Sequence, residues 1–212
     1  MIKNIVFDWS GTISDDFEAL YHTVMAIFHD VGVSPVSFAK FQETVDAPFD
    51  VYLKRLFGDD PETLARFSDE KKNHELFNRH FRVHGFPALL PGVEAALKQL
   101  RAKGFKMAVF SSHYQRFIEE ENKLFFNGVN YFSRIFGSAG NKMESVSRFL
   151  EETKFEPEHT VFVGDTTSDI LVGKRAGMKT AAVLSGYHSE EKLAPVKPDF
   201  ILGSVSELPG LF

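Results

Sequence analysis

Four short segments carry side chains that could do chemistry together. Asp8 opens the run Asp8-Trp9-Ser10-Gly11-Thr12, a carboxylate followed by small residues whose backbone N–H groups can turn toward an anion. Ser111 and Ser112 supply hydroxyls and are followed by His113; Lys142 supplies an ammonium group. Gly164-Asp165-Thr166-Thr167-Ser168-Asp169 supplies two carboxylates, the second one helical turn beyond the first. A carboxylate held beside a tight turn is a candidate nucleophile for phosphoryl transfer, a reaction that needs positioning and charge neutralisation more than covalent chemistry. Mg²⁺ takes oxygen ligands, one or two of them carboxylates, with water and substrate phosphate completing the shell. Asp8, Asp165 and Asp169 are candidate ligands on that ground. Taken singly, each residue also has a structural reading: a turn residue for Asp8, a loop residue and a helix N-cap for Asp165 and Asp169, a solvated lysine for Lys142, a strand-end hydroxyl for Ser111.

The elements that must bring these segments together show as five continuous apolar runs: Ile5–Phe7, Met107–Phe110, Val161–Val163, Thr180–Leu184 and Phe200–Leu202. Continuous rather than alternating runs suit strands buried on both faces. Helical patterns separate most of them. Pro91–Lys103 sets Val93, Ala96, Leu97 and Leu100 on one face, and Lys142–Thr153 does the same with Val146, Phe149 and Leu150. Strands alternating with helices predict an α/β, Rossmann-like doubly wound parallel sheet with right-handed crossovers. In such a sheet ligands bind beyond the carboxyl ends of the strands, where Asp8, Ser111 and Asp165 fall. Nearly a hundred residues without a convincing strand separate the first two runs. Phe17, Leu20, Val24, Ile27, Phe28 and Val31 trace one helix face there, and Ser37–Val45, Phe49–Phe57 and Pro61–Val83 read as further helices. The expected organisation is therefore a core of residues 1–14 and 87–212 with a helical insertion over 15–86.

Composition closes off several alternatives. The chain has 212 residues, 43% of them hydrophobic and 25% charged, which suits one core carrying an insertion and excludes a wholly disordered chain. Its net charge of −5 and its lack of a long basic run argue against a nucleic-acid partner. No cysteine is present, which excludes disulfides, Cys-ligated zinc and a thiol nucleophile. The N-terminus does not read as a signal peptide, and no apolar run reaches the roughly 18 residues of a membrane span, so a cytoplasmic protein without a membrane partner is expected. The 23 phenylalanines suit core packing and leave a monomer or a homodimer open. His80 and His84 have a chelating spacing but no third ligand nearby in sequence. Asp15 and Asp16 suit a linker or a helix start.

In this order, the four segments resemble the motifs of the haloacid dehalogenase-like hydrolases over nearly the whole chain. Asp8 through Thr12 is similar to the first motif, whose leading Asp becomes an aspartyl-phosphate. Ser111 is similar to the second-motif hydroxyl that binds the phosphoryl group, Lys142 to the third-motif cation, and Asp165 with Asp169 to the acidic fourth motif that holds Mg²⁺. Leu90-Pro91-Gly92-Val93, Ala176-Gly177-Met178 and Gly186-Tyr187 agree with the same family. The insertion stands where the phosphoglycolate-phosphatase-like branch carries its C1-type cap, expected to close over the substrate. The resemblance implies a Mg²⁺-dependent phosphatase of a small phosphorylated metabolite. Asp8 and Lys142 would be its catalytic residues, and Gly11, Thr12, Ser111, Ser112 and His113 would line the phosphate. Asp8, the Ser10 carbonyl, Asp165 and Asp169 would hold the metal.

One position departs from the family. Most of its phosphatases carry a second Asp two residues after the nucleophile, to protonate the leaving oxygen and then activate water; here that residue is Ser10. General acid–base catalysis is typically worth about 10²–10⁴-fold. The departure implies a phosphatase that is slow on alkyl phosphates, works with another acid, or is restricted to good leaving groups; His113 is a candidate to contact substrate or replace the missing acid. It also leaves room for a catalytically weak or inactive phosphometabolite-binding protein. A third possibility is a C–P bond hydrolase like the phosphonoacetaldehyde hydrolases, using Lys40, Lys54, Lys71 or Lys72 as a Schiff base. The halide-releasing branch, which works without Mg²⁺, fits the paired Asp165 and Asp169 poorly. The segment Val45–Tyr52 is expected, by family analogy, to select substrate.

Overall fold

The computed structural model describes residues 1–46, 48–83 and 86–212. The chain opens with β1 (Asn4–Phe7) and β2 (Ser14–Asp15), then runs through α1 (Phe17–Asp30), α2 (Phe38–Thr44), α3 (Phe49–Phe57), α4 (Pro61–Ala65) and α5 (Glu70–His80). It continues with β3 (Ala88–Leu89), α6 (Val93–Ala102), β4 (Lys106–Phe110), α7 (Gln115–Phe125), β5 (Arg134–Phe136) and α8 (Lys142–Thr153). The last elements are β6 (Thr160–Gly164), α9 (Thr167–Arg175), β7 (Lys179–Val183), α10 (Glu190–Leu193) and β8 (Phe200–Leu202). Two compact units result: Met1–Asp15 with Ala88–Phe212, and Asp16–Pro87. Among the described residues no helix is long and apolar enough to cross a membrane.

The first unit is α/β. Its six-stranded sheet has the order β5-β4-β1-β6-β7-β8, and every pairing is parallel. Alternate side chains of a strand leave opposite faces, so β1 feeds two cores. Ile5 and Phe7 pack with Val93, Leu97 and Leu100 of α6 and Ile118 of α7. Val6 joins Phe110 and Phe162 against Val146 and Phe149 of α8 and Val172 of α9. Two layers of helix on one parallel sheet explain why the strands read as unbroken apolar runs. The interval between the first two apolar runs also contains two short strands: β2 and β3 pair antiparallel, Ser14 with Leu89 and Asp15 with Ala88.

The second unit is helical. Phe28, Phe41, Tyr52 and Phe67 are buried in it, with Phe41 edge-on to Tyr52 at 5.5 Å and Phe28 tilted on Phe67 at 5.4 Å. The single helix expected over Pro61–Val83 is instead two. After α4 the amides of Arg66, Phe67 and Ser68 bond to carbonyls three residues back, Phe67 turns inward, and the Asp69 side chain caps a new helix at the Lys72 N–H. A buried aromatic off the helix stripe and a ready N-cap outweigh the continuous helical pattern.

Helix α9 sits so close to the sheet that Gly173 has no room for a side chain. A Cβ there would lie 2.7 Å from Thr180 Cγ2 and 3.2 Å from Phe162 Cβ. Thr180 cannot rotate away, because its hydroxyl donates to Asp199 at 3.0 Å and accepts from the Asp199 N–H at 3.2 Å. Helix propensity favours alanine over glycine by about 1 kcal/mol, whereas overpacking a core costs about 1–3 kcal/mol. Gly173→Ala is therefore expected to destabilise the protein, and urea denaturation with a raised midpoint would contradict this.

Candidate active site

Strands β4, β1 and β6 are neighbours, so the residues just past their carboxyl ends meet. Asp8 follows β1, and its N–H donates to Val163 of β6 at 2.9 Å. Ser111 follows β4 and is held through its N–H to Phe136 O and its carbonyl to Ala139 N, both at 3.0 Å. Asp165 follows β6, and Lys142 begins α8, which Asn141 caps by accepting from the Met143 N–H at 3.0 Å. All of these side chains are buried: Asp8, Ser111, Lys142, Asp165 and Asp169.

One ammonium serves two carboxylates. Lys142 Nζ lies 2.7 Å from Asp8 Oδ1 and 2.6 Å from Asp169 Oδ1. The approach to Asp8 is an ion pair outside hydrogen-bond geometry, which leaves Asp8 Oδ1 buried without a hydrogen-bond partner. Asp169 is fully engaged within the protein: its other oxygen accepts from the Thr166 hydroxyl at 2.6 Å and the Thr166 N–H at 3.1 Å. The Thr166 hydroxyl in turn accepts from the Asp169 N–H, completing a capping box at the start of α9. Asp165 is anchored at both oxygens, by the Thr12 hydroxyl at 3.0 Å and the Tyr187 N–H at 2.8 Å. Glycines make the space: a Cβ on Gly11 or Gly186 would overlap the Asp165 carboxylate, and one on Gly164 would overlap Asp169.

Three carboxylates against one ammonium leave a formal excess of two negative charges in a buried volume. Burial raises the Asp8 pKa and Asp169 adds to it, while the charge of Lys142 and the Ser111 hydroxyl pull the other way. Burial, then Asp8 and Asp169, push Asp165 well above the ordinary carboxylate range. Burial works against the charge on Lys142, but Asp169 and Asp8 outweigh it and hold its pKa above the usual lysine value. Oxygen atoms of Asp8, Asp165 and Asp169 all lie within 4.8 Å of one another. The charge excess and the oxygen-only donors fit a hard divalent cation.

Other candidate residues are placed differently. The Ser112 hydroxyl donates to Gly140 O at 2.8 Å, and Ser10 bridges Ser14. The His113 ring stacks on Phe117 and brings Nε2 to 3.7 Å from the buried Glu121, while the His113 backbone N–H donates to the Ser111 hydroxyl at 3.2 Å. His80 Nε2 lies 2.9 Å from Asp30, and His84 lies outside the described residues. Asp16 stands at the N-cap position of α1 without a side-chain cap bond, and Asp15 is exposed on β2. Within Val45–Tyr52, Asp46 pairs with Arg55 at 2.7 Å, Val45 and Tyr52 are buried, and Ala47 lies outside the described residues. Lys40, Lys54, Lys71 and Lys72 are all exposed, unlike the desolvated amine a Schiff base needs.

Sequence reading passed over Thr166, Glu121 and His188. Thr166 was detectable, because Thr-x-x-Asp after a strand is a capping-box spacing. His188 is buried and accepts from the Thr167 N–H at 3.1 Å, a contact across 21 residues that no local pattern announces.

Residues 5–183 match the family model for haloacid dehalogenase-like hydrolases. A phosphoglycolate phosphatase of Aquifex aeolicus is 31% identical over 98% of this chain and 95% of its own. The pyrophosphatase PpaX of Halalkalibacterium halodurans is 25% identical over 98% and 95% respectively. A crystal structure from Clostridium acetobutylicum, described as a predicted phosphatase, has the same fold, with a TM-score of 0.85 at 20% identity over 100% of this chain and 98% of that one.

The charge excess has a direct consequence for stability. Because burial and Asp169 together disfavour the ionised form of Asp8, removing its charge relieves the cluster. In EDTA, Asp8→Asn is expected to melt above wild type. A lower melting temperature would show that attraction to Lys142 dominates instead.

Proposed function

The chain belongs to the haloacid dehalogenase-like hydrolases, and from that footing we propose that it is a Mg²⁺-dependent phosphatase acting on a small phosphorylated metabolite through a phosphoryl group carried on Asp8. The observation that carries this reading is the buried Asp8–Lys142–Asp169 chain with Asp165 beside it. Such a group has no structural economy, since burying unbalanced charge costs several kcal/mol per ion. It is what an in-line displacement on phosphorus requires.

Each residue then has a task. The Asp8 carboxylate attacks phosphorus and displaces the leaving oxygen, and water later cleaves the aspartyl-phosphate to release phosphate. Lys142 fixes the attacking carboxylate and offsets charge on the phosphoryl oxygens. The Ser111 hydroxyl is a donor for those oxygens, whereas the Gly11 and Thr12 N–H groups are spent closing the loop on the Ser14 and Trp9 carbonyls. Asp8, the Ser10 carbonyl, Asp165 and Asp169 would hold Mg²⁺, which when bound supplies further neutralisation of the transferring group. Asp165 is oriented for that role by the Thr12 hydroxyl and the Tyr187 N–H, and Asp169 by Lys142 and the capping box. The helical unit, Asp16–Pro87, is assigned substrate selection.

Ser10 bears on which substrates react. Its carbonyl can serve the cation as any residue's would, but its hydroxyl is a poor acid for an alkoxide leaving group near neutral pH. This favours leaving groups that depart without a proton, such as a phenolate or the phosphate released from pyrophosphate. A binding protein that retained the pocket is the second reading, favoured by the same residue.

Phosphate release with Mg²⁺ should be compared between wild type and Asp8→Asn on an aryl phosphate, pyrophosphate, phosphoglycolate and other alkyl phosphates. Turnover is expected in wild type and absent in Asp8→Asn; silence on every substrate while Mg²⁺ binds would give the binding protein precedence. Ser10→Asp is expected to raise alkyl phosphate turnover about 10-fold or more and to leave the aryl rate nearly unchanged. An equal effect on both substrates would show that the missing acid is not what limits the alkyl reaction.

A further inference from the structure

A second buried carboxylate lies next to the nucleophile's loop. Helix α7 buries Phe117, Ile118 and Glu121 on one stripe, and Glu121 is 0% exposed. An apolar residue is what that stripe asks for, and a carboxylate there is tolerated only when it is hydrogen-bonded. Glu121 Oε2 accepts from the Trp9 indole N–H at 2.7 Å and from the Ser14 hydroxyl at 3.0 Å. Its Oε1 faces His113 Nε2 at 3.7 Å.

Both donors belong to one closed loop. The Trp9 carbonyl accepts from the N–H groups of Thr12 at 3.2 Å, Ile13 at 2.8 Å and Ser14 at 2.9 Å, and the Gly11 N–H donates to Ser14 O at 2.8 Å. Trp9 and Ser14 are thus the two ends of the loop, and Ser10, Gly11 and Thr12 lie between them. Trp9 is further packed face to face on Phe125, at 6.0 Å and 5°. We infer that Glu121 is a positioning residue: its carboxylate clips both ends of the loop and so fixes where the adjoining Asp8 carboxylate, the Ser10 carbonyl and the Thr12 hydroxyl point. The inference rests on the reading of that loop as the phosphoryl and cation site.

Space-filling and clipping are separable. Glu121→Gln keeps an oxygen for both donors and removes the charge. Glu121→Leu fills a similar volume and leaves the Trp9 N–H and the Ser14 hydroxyl without their acceptor. Mg²⁺ affinity by calorimetry and steady-state turnover should be measured for each, with circular dichroism to establish folding. For Gln, Mg²⁺ affinity and kcat are expected to stay within about threefold of wild type. For Leu, affinity and kcat are each expected to fall about 10-fold or more, with KM within about twofold. Trp9 is the chain's one tryptophan, so its emission reports the contact directly and should shift in Leu more than in Gln.

Leu matching wild type in Mg²⁺ affinity and kcat would overturn the proposal, as would Gln falling as far as Leu. If Leu does not fold, Ser14→Ala decides, since it keeps the carboxylate and the Trp9 contact. About a threefold loss of Mg²⁺ affinity is then expected, and no loss counts against the clip. A wild type that binds Mg²⁺ but releases no phosphate would retire the phosphatase and still leave the clip tested by affinity and emission. One that does neither retires both.

Discussion

Three buried carboxylates, two of them sharing one lysine, are the constraint around which the first unit is arranged. Two excess negative charges in a water-poor volume are unfavourable, and the protein answers with fixed dipoles rather than with a second basic residue. Thr12, Thr166 and the Tyr187 N–H each donate to one of these carboxylates. Gly11, Gly164 and Gly186 let backbone and carboxylate approach more closely than any side chain would allow. The arrangement holds the oxygens in place without neutralising them, which is the state a cation site needs before its ion arrives. Stability is given up locally for that readiness, a common pattern where local rules are broken at functional sites.

The sheet order explains how one edge can collect so many groups. With β1 central and β4 and β6 on either side, the connections that leave these three strands begin at adjacent points. The loop from Trp9 to Ser14 is then anchored from two directions, by Asp165 through Thr12 and by Glu121 through Trp9 and Ser14. Neither anchor is local in sequence. A loop held this way keeps its shape through tertiary hydrogen bonds as well as through its own N–H groups, four of which close on the Trp9 and Ser14 carbonyls.

What the sequence disclosed and what it hid follow from the range of each interaction. Apolar runs such as Val161–Val163 are legible because a strand buried on both faces has no polar alternation to obscure it, and the residue after each run marks the sheet edge. The split between α4 and α5 was hidden because Phe67 and Asp69 both fit a continuous helix until tertiary packing turns Phe67 inward. Strand β5 is three residues long and only partly apolar, too short for periodicity to register. Glu121 was the least legible. A glutamate in a helix that also contains Glu119 and Glu120 reads as surface, and only the indole and hydroxyl that arrive from more than a hundred residues away reveal that it is core.

Position 10 shows how separable the two demands on a phosphoryl-transfer site are. In the proposed mechanism cation binding would draw on a backbone carbonyl there, which no substitution removes. Proton transfer to the leaving group draws on the side chain, which serine cannot match. The loop geometry is held through Trp9, Thr12 and Ser14. The charge-neutralising half of the site can therefore persist intact while the proton-transferring half is absent. On the proposed reading, selectivity among phosphate esters would shift from the shape of the substrate toward how readily its leaving oxygen carries negative charge.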